Sequence, residues 1–350
     1  MKPWEKNIRK VVPYTPGEQP NKPNMVKLNT NENPYGPSPK VLEVKENIDD
    51  YRLYPDPEVK DLVNALADYH EIDRDQVFVG VGSDDVLAVA FMTFFNSDKP
   101  ILFPVISYSF YDVWAELFKI TYETPVLDKN FRLVVSDYYK ENGGIIFPNP
   151  NAPTAIYEEL TFIKDVLEHN QDVIVIVDEA YIDFAKESAI SLINTYENLL
   201  IVRTFSKSRS MAGLRIGYAM GNKALIKAMN DVKYSFNSYT MNRPSIVLGV
   251  ESVKDDVYFK ETIQKIITTR ENFISELDQL GFITLPSSAN FVFTAHKSIP
   301  AKDIFDAGKK KDIYFRHFNK SRIDNYLRIS IGTDEELESV VEFLKAFIHN

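Results

Sequence analysis

The chain has 350 residues, 44% of them hydrophobic and 13% aromatic, which is enough for two linked lobes and too apolar for global disorder. Its formal charge of -10 opposes a polyanion and excludes a general nucleic-acid binder. With no cysteine, disulfides, thiol catalysis and thiolate metal sites are excluded.

The five histidines, His70, His169, His296, His317 and His349, show no ligand spacing, so no metal is assigned. The start, Met1-Lys2-Pro3-Trp4-Glu5-Lys6, has no apolar leader region, and no stretch reaches the length of a membrane span. The expectation is a soluble, cytoplasmic protein.

Residues 1–39 are rich in Pro, Asn and Lys and cannot form a long helix. Tyr14, Leu28 and Tyr35, interleaved among them, suggest an ordered arm that packs on the rest of the chain. A first helix is expected near Pro39. A rigid turn at Tyr51–Pro57 then leads to an amphipathic helix with Val59, Leu62, Val63, Leu66 and Tyr69 on one face.

From Gln76 onward, short apolar runs alternate with helical stretches. The runs are Val77–Gly80, Ile101–Phe103, Gly144–Phe147 and Val173–Val177, and Leu199–Tyr218 then reads as a strand, a loop with Lys207 at its turn and a second strand. Helices are expected at Val86–Phe95, from about Ser107, and at Leu160–Glu168. Continuous β-branched runs bounded by turns fit a sheet buried on both faces, so this region reads as α/β with a mostly parallel central sheet flanked by helices. Beyond about residue 235 the texture changes. Long helical patterns cover roughly 240–280, and short strands at 282–285, 290–293 and 326–331 alternate with two more helices. The expected organisation is an arm at 1–39 packing with the small domain, a large domain at 40–239 and a smaller α+β domain at 240–350.

In such sheets ligand groups collect at the carboxyl ends of the strands, and each polar cluster lies there. Lys207 follows a buried strand between the hydroxyls of Ser206 and Ser208. There its amine could be partly desolvated and act as a nucleophile toward aldehydes, or it could be an ordinary solvated lysine. Asp178, after an apolar run, either caps the next helix or faces a protonated heterocyclic nitrogen. No GxxxxGK[ST] accompanies it, which removes nucleotide hydrolysis. Gly80-Val81-Gly82-Ser83-Asp84 is a turn that also presents backbone N–H groups at a helix N-terminus, although Asp84 and Asp85 would repel an anion unless they turn away. Arg215 could reach the same anion. Arg316 and Arg328 are either structural salt-bridge partners or functional anion ligands.

Asp178-x-x-Tyr181, then Ser206-Lys207, then Gly213-Leu214-Arg215 resembles the pyridoxal-phosphate aminotransferases of fold type I. The finer pattern is similar to the histidinol-phosphate aminotransferase family. It comprises Leu28-Asn29-Thr30-Asn31-Glu32-Asn33-Pro34, Arg52-Leu53-Tyr54-Pro55, Val177–Tyr181, Arg203–Lys207, Ala212–Gly217 and Leu327–Thr333.

The resemblance implies pyridoxal 5′-phosphate held covalently by Lys207, which also shuttles the proton. It implies Asp178 on the ring nitrogen, Asn151 and Tyr181 on the phenolic oxygen, and Tyr108 stacked on the ring. Backbone at Ser83 and Asp84, with Ser206 and Arg215, is implied for the phosphate. Tyr54 is implied to arrive from the neighbouring subunit of a homodimer. Tyr14, Asn33, Arg316 and Arg328 are implied for the substrates, a phosphorylated amine and 2-oxoglutarate or glutamate. Threonine-phosphate decarboxylation and aromatic transamination use the same machinery. The sequence departs from the family at Ala152 and Ala155, where Asn and Gly are usual.

Overall fold

The structure is a computed structural model that describes residues 2–45 and 47–349. Met1, where the N-terminal reading begins, lies outside them. The arm forms only a 3-10 turn at Pro3–Asn7 before its prolines hold it extended. It then forms β1 (Val26–Lys27), which pairs in parallel with Ile313–Tyr314 in the carboxyl-terminal part of the chain. The helices α1 (Pro39–Leu42) and α2 (Lys60–His70) follow, and α2 buries Leu62 and Leu66 as their spacing predicts.

The large domain runs through β2 (Val77–Gly80), α3 (Ser83–Phe94), β3 (Ile101–Leu102), α4 (Tyr111–Phe118) and β4 (Tyr122–Glu123). It continues with β5 (Ile145–Pro148), α5 (Leu160–His169), β6 (Val175–Asp178), β7 (Leu199–Thr204), β8 (Gly217–Gly221) and α6 (Lys223–Phe236). The seven strands form one sheet in the order β2-β8-β7-β6-β5-β3-β4. All neighbours are parallel except β8, which runs antiparallel to β2 and β7.

Side-chain alternation divides the strands between two cores. Ile145, Phe147, Val175, Val177, Leu199 and Ile201 pack on one face of the sheet, with α2 and α5. Ile146, Ile176, Leu200, Val202 and Ala219 pack on the other, with α3 and α4. This is why the runs read as continuously apolar. The helix expected from Ser107 starts only at Tyr111, because the Ser107 hydroxyl closes a turn on the Pro104 carbonyl, leaving Tyr108 in the loop.

Two helices, α7 (Arg243–Lys254) and α8 (Asp256–Gln279), lead to the second sheet. Its remaining elements are β9 (Phe282–Thr284), β10 (Phe291–His296), α9 (Ala301–Lys309), β11 (Ile313–Tyr314), β12 (Arg316–His317), β13 (Leu327–Ser330) and α10 (Asp334–Ile348). Four of these strands pair antiparallel in the order β12-β13-β10-β9.

The expected division at 239/240 puts α7 in the small domain. In the structure Ile246 and Val253 of α7 belong to the core that also holds Leu62 and Leu66 of α2. Farther on, Ile266, Phe273 and Leu277 of α8 belong to the core of the second sheet, so packing changes sides along α8. Among the described residues no helix is long and apolar enough to cross a membrane.

Candidate active site

The strand register brings five chain segments to one edge of the sheet. Pro148, Asp178 and Val202 lie side by side, and Gly217 at the start of β8 faces Thr204 on one side and Gly80 on the other. The loops leaving these positions enclose two adjoining cavities of about 130 and 170 Å³, and Tyr108, Ala152, Tyr181 and Lys207 line both.

The inner cavity has an anion-seeking end and an acidic end. At the first, the amides of the opening turn of α3 have no partners within the helix. Gly82 there has φ +85°, and any Cβ would meet the Arg215 guanidinium at 2.5 Å. A Cβ at Gly217 would lie 2.3 Å from the Ser83 nitrogen, so this corner accepts only glycine. Arg215, itself left-handed at φ 52°, reaches in beside Ser206. The two aspartates that threatened an anion are turned aside. Asp85 accepts from the Val81 amide at 2.9 Å, and Asp84 accepts from the Tyr108 hydroxyl at 2.8 Å while pairing with Arg215 at 3.0 Å.

At the acidic end Asp178 is buried. Burial pushes its carboxyl up to about 6, against the opposing hydrogen bonds from the Tyr111 hydroxyl (2.8 Å) and the Ala180 amide (3.2 Å). It makes no ion pair among the described residues. Glu179 is held by Arg203 at 3.0 Å and by Ser188, and Asp183, which accepts from the Ser208 hydroxyl, also pairs with Arg203 of β7 at 3.6 Å, linking the lysine loop to β7.

Lys207 lies between the two cavities. Its ammonium donates to the Thr30 carbonyl at 3.0 Å and lies 5.8 Å from the Tyr181 ring centre. At the outer cavity Arg316 and Arg328 face each other across the β12–β13 pair. Arg328 donates to the Asn29 carbonyl at 3.0 Å, and its Nε is buried without a partner. Burial lowers its pKa, and Arg316 adds to that, which marks a cation wanting an anion. Tyr14, stacked on Phe110 at 4.2 Å, lines the same cavity.

Of the residues expected from the sequence, the structure thus gathers Ser83, Asp84, Tyr108, Asp178, Tyr181, Ser206, Lys207, Arg215, Tyr14, Arg316 and Arg328 around the two cavities. Three stand elsewhere. Asn151 lies outside the cavity lining: its Nδ2 donates to the Ile106 carbonyl and the Thr154 hydroxyl, its Oδ1 is buried without a partner, and Ala152 faces the cavities. Asn33 also lies outside the cavity lining, where its side chain donates to the Ser208 carbonyl and accepts from the Tyr35 amide. Tyr54 is 81% exposed, its ring tilted against that of Tyr239 and away from both cavities within this chain. Residues that the sequence reading passed over are Asn29, Thr30 and Asn31, which line the outer cavity, and Tyr111, which binds Asp178. The first three fall inside the Leu28–Pro34 motif, and Tyr111 reads as an ordinary apolar helix residue.

The donor set suits pyridoxal phosphate. It offers a glycine-lined helix N-terminus with an arginine for the phosphate, a buried unpaired acid for a ring nitrogen and a lysine between them for the aldehyde. A lysine at the carboxyl ends of a mostly parallel sheet, with a second, antiparallel domain closing over it, defines the fold-type I aminotransferase class. The chain belongs to the aminotransferase class I and II family, whose model matches residues 23–344.

It is 49% identical over 348 residues to the histidinol-phosphate aminotransferase of Clostridium botulinum (strain Kyoto / Type A2), covering 99% of this chain and 98% of that one. It is similar to the crystal structure of the histidinol-phosphate aminotransferase from Clostridium acetobutylicum, with TM-score 0.85, 25% identity and coverage of 92% of this chain and 99% of that one. The histidinol-phosphate aminotransferase from Sinorhizobium meliloti in complex with pyridoxal-5′-phosphate shares the fold, with TM-score 0.84, 23% identity and coverage of 92% and 90%.

Proposed function

We propose that this aminotransferase uses pyridoxal 5′-phosphate to move the amino group of L-histidinol phosphate to 2-oxoglutarate, giving imidazole acetol phosphate and glutamate, a step of histidine biosynthesis. The observation that carries the substrate is the facing pair Arg316 and Arg328, unpaired by any carboxylate among the described residues. A phosphate, or the carboxylate of the second substrate, supplies the missing anion, and arginine binds both bidentately. The full-length relatives support the same reading.

When bound, pyridoxal phosphate supplies an electron sink for the carbanion formed at the substrate α-carbon. The protein does the rest. Lys207 would hold the aldehyde and, once released, move the proton at the substrate carbon. Asp178 would hold the proton on the ring nitrogen, whose positive charge repays the carboxylate's burial. Tyr181 would bind the ring oxygen, Tyr108 would cover the ring, and the backbone amides at Ser83 and Asp84, with Ser206 and Arg215, would hold the phosphate. Arg316 and Arg328 would grip each substrate in turn, so that the two half-reactions alternate in one pocket.

We also propose a homodimer with shared sites. The exposed Tyr54 and Tyr239 pack against each other, and a second copy would cover them. A cytoplasmic location goes with this reading and is tested by cell fractionation. The direct test of the activity mixes cofactor-loaded protein with histidinol phosphate alone. The aldehyde form's absorbance is expected to disappear within one turnover; its persistence overturns the substrate.

A further inference from the structure

Three consecutive arm residues touch the three side chains on which the site depends. The Asn29 carbonyl accepts from Arg328, the Thr30 carbonyl accepts from Lys207, and the Asn31 amide donates to the Tyr181 hydroxyl at 2.9 Å. Asn31 is 1% exposed and lies at φ 55°, a backbone state that asparagine tolerates.

The orientation of the Asn31 amide is fixed by its neighbours. The Asn31 backbone N–H donates to the Ser330 Oγ at 2.9 Å, so the Ser330 hydroxyl must send its own proton elsewhere. It sends it to Asn31 Oδ1, at 3.0 Å. Nδ2 is therefore the atom left to face Tyr181. The Asn31 carbonyl is anchored in turn by the Asn290 amide at 3.0 Å. Ser330 and Asn290 both belong to the second domain, so Asn31 links the arm, the small domain and a side chain that lines both cavities.

The consequence concerns the direction of a proton. Tyr181's oxygen already accepts from Asn31, so its O–H is free to donate into the cavity rather than accept from it. Ala152, the neighbouring lining residue, has no polar group to share that task. We infer that Asn31 is a positioning residue that makes Tyr181 a hydrogen-bond donor toward the bound ring's oxygen. This rests on the reading that the site takes pyridoxal phosphate, and it adds a residue that the reading does not contain.

A donor on the ring oxygen stabilises its anionic form, and so lowers the pH midpoint at which the bound cofactor's visible absorbance changes. The experiment titrates that absorbance in wild type, Tyr181→Phe, Asn31→Gly and the double variant, all loaded with pyridoxal phosphate. Glycine suits φ 55° and keeps both backbone hydrogen bonds of residue 31, so the variant removes only the amide. Tyr181→Phe is expected to raise the midpoint by roughly 1 pH unit. Asn31→Gly is expected to raise it in the same direction by less, and to add nothing in the Tyr181→Phe background.

An Asn31→Gly midpoint equal to wild type overturns the inference. So does a shift that persists in full without the Tyr181 hydroxyl. If Asn31→Gly does not fold, Asn31→Ala is titrated in its place with the same expectations. A wild-type protein with no borohydride-sensitive absorbance band overturns the cofactor reading instead, and the inference with it.

Discussion

Arg316 and Arg328 stand directly opposite each other on antiparallel strands, two like charges in register at the mouth of the outer cavity. Such a pair is unfavourable across a sheet unless something negative joins it. Arg328 also bears the cost of burial, with its Nε unpartnered. The pair is best understood as stability given up for binding. Arg328→Met is therefore expected to leave the thermal midpoint of the ligand-free protein unchanged or raise it. The same change should lower kcat/KM for histidinol phosphate by roughly 100-fold, through the loss of a buried charged hydrogen bond. Calorimetry and steady-state kinetics check both halves. A large fall in stability with unaltered kinetics would show that the arginine is structural.

Asp178 gives a pH dependence with a definite sign. In the cofactor-free protein its carboxyl is pushed up to about 6 from an ordinary 3.8, chiefly by burial. Between these values the folded protein holds a proton that the unfolded chain has released. Stability therefore falls as pH rises from about 4 to about 6, and the loss remains above that. Asp178→Asn removes this titration. The cofactor-free variant is expected to be the more stable protein above pH 6, by about 3 kcal/mol. With cofactor bound the order should reverse, because only the carboxylate can pair with a protonated ring nitrogen. Urea unfolding at pH 4, 6 and 8, with and without cofactor, measures both.

The corner where β8 meets α3 predicts a backbone effect. A methyl at position 217 would sit 2.3 Å from both the Gly82 carbonyl carbon and the Ser83 nitrogen, backbone atoms that cannot swing aside. Gly217→Ala must therefore push the first turn of α3 off β8. The expected cost is roughly 1–3 kcal/mol of stability. Retention of the cofactor after dialysis should fall along with it, since the displaced amides are those proposed to bind the phosphate. A variant that is destabilised yet keeps its cofactor would mean that the phosphate is held elsewhere.

Much of this arrangement is visible in the sequence, for a physical reason. Strands such as Val175–Asp178 are buried on both faces, so their apolar runs stand out, and the polar residue ending each run marks the edge where ligands gather. What stays hidden is of two kinds. In the irregular loop after Pro148 no periodicity tells which of Asn151 and Ala152 faces the cavity; only the hydrogen bonds to Ile106 and Thr154 decide it. The contacts of Asn29 and Asn31 with Arg328 and Ser330 join residues about 300 positions apart, beyond any local pattern. The strands Ile313–Tyr314 and Arg316–His317 are two residues each, too short to show alternation, so the pairing that opposes the two arginines is also unreadable before folding.

The exposed Tyr54 predicts a result that only an assembly of two chains can give. Its ring lies against Tyr239 at 4.7 Å and reaches neither cavity of its own chain. If it completes the partner's site, Tyr54→Ala and Lys207→Ala inactivate through different halves of one shared site. Random mixing then makes half of the dimers hybrids. Each hybrid has one site with Lys207 from one chain and Tyr54 from the other, and one site lacking both. The mixture should recover roughly a quarter of wild-type activity, while neither variant alone shows appreciable turnover. Sedimentation measurements establish that the variants still dimerise and exchange. A mixture of exchanging dimers that stays inactive would place Tyr54 outside the neighbouring site and leave its exposure to be explained by the interface alone.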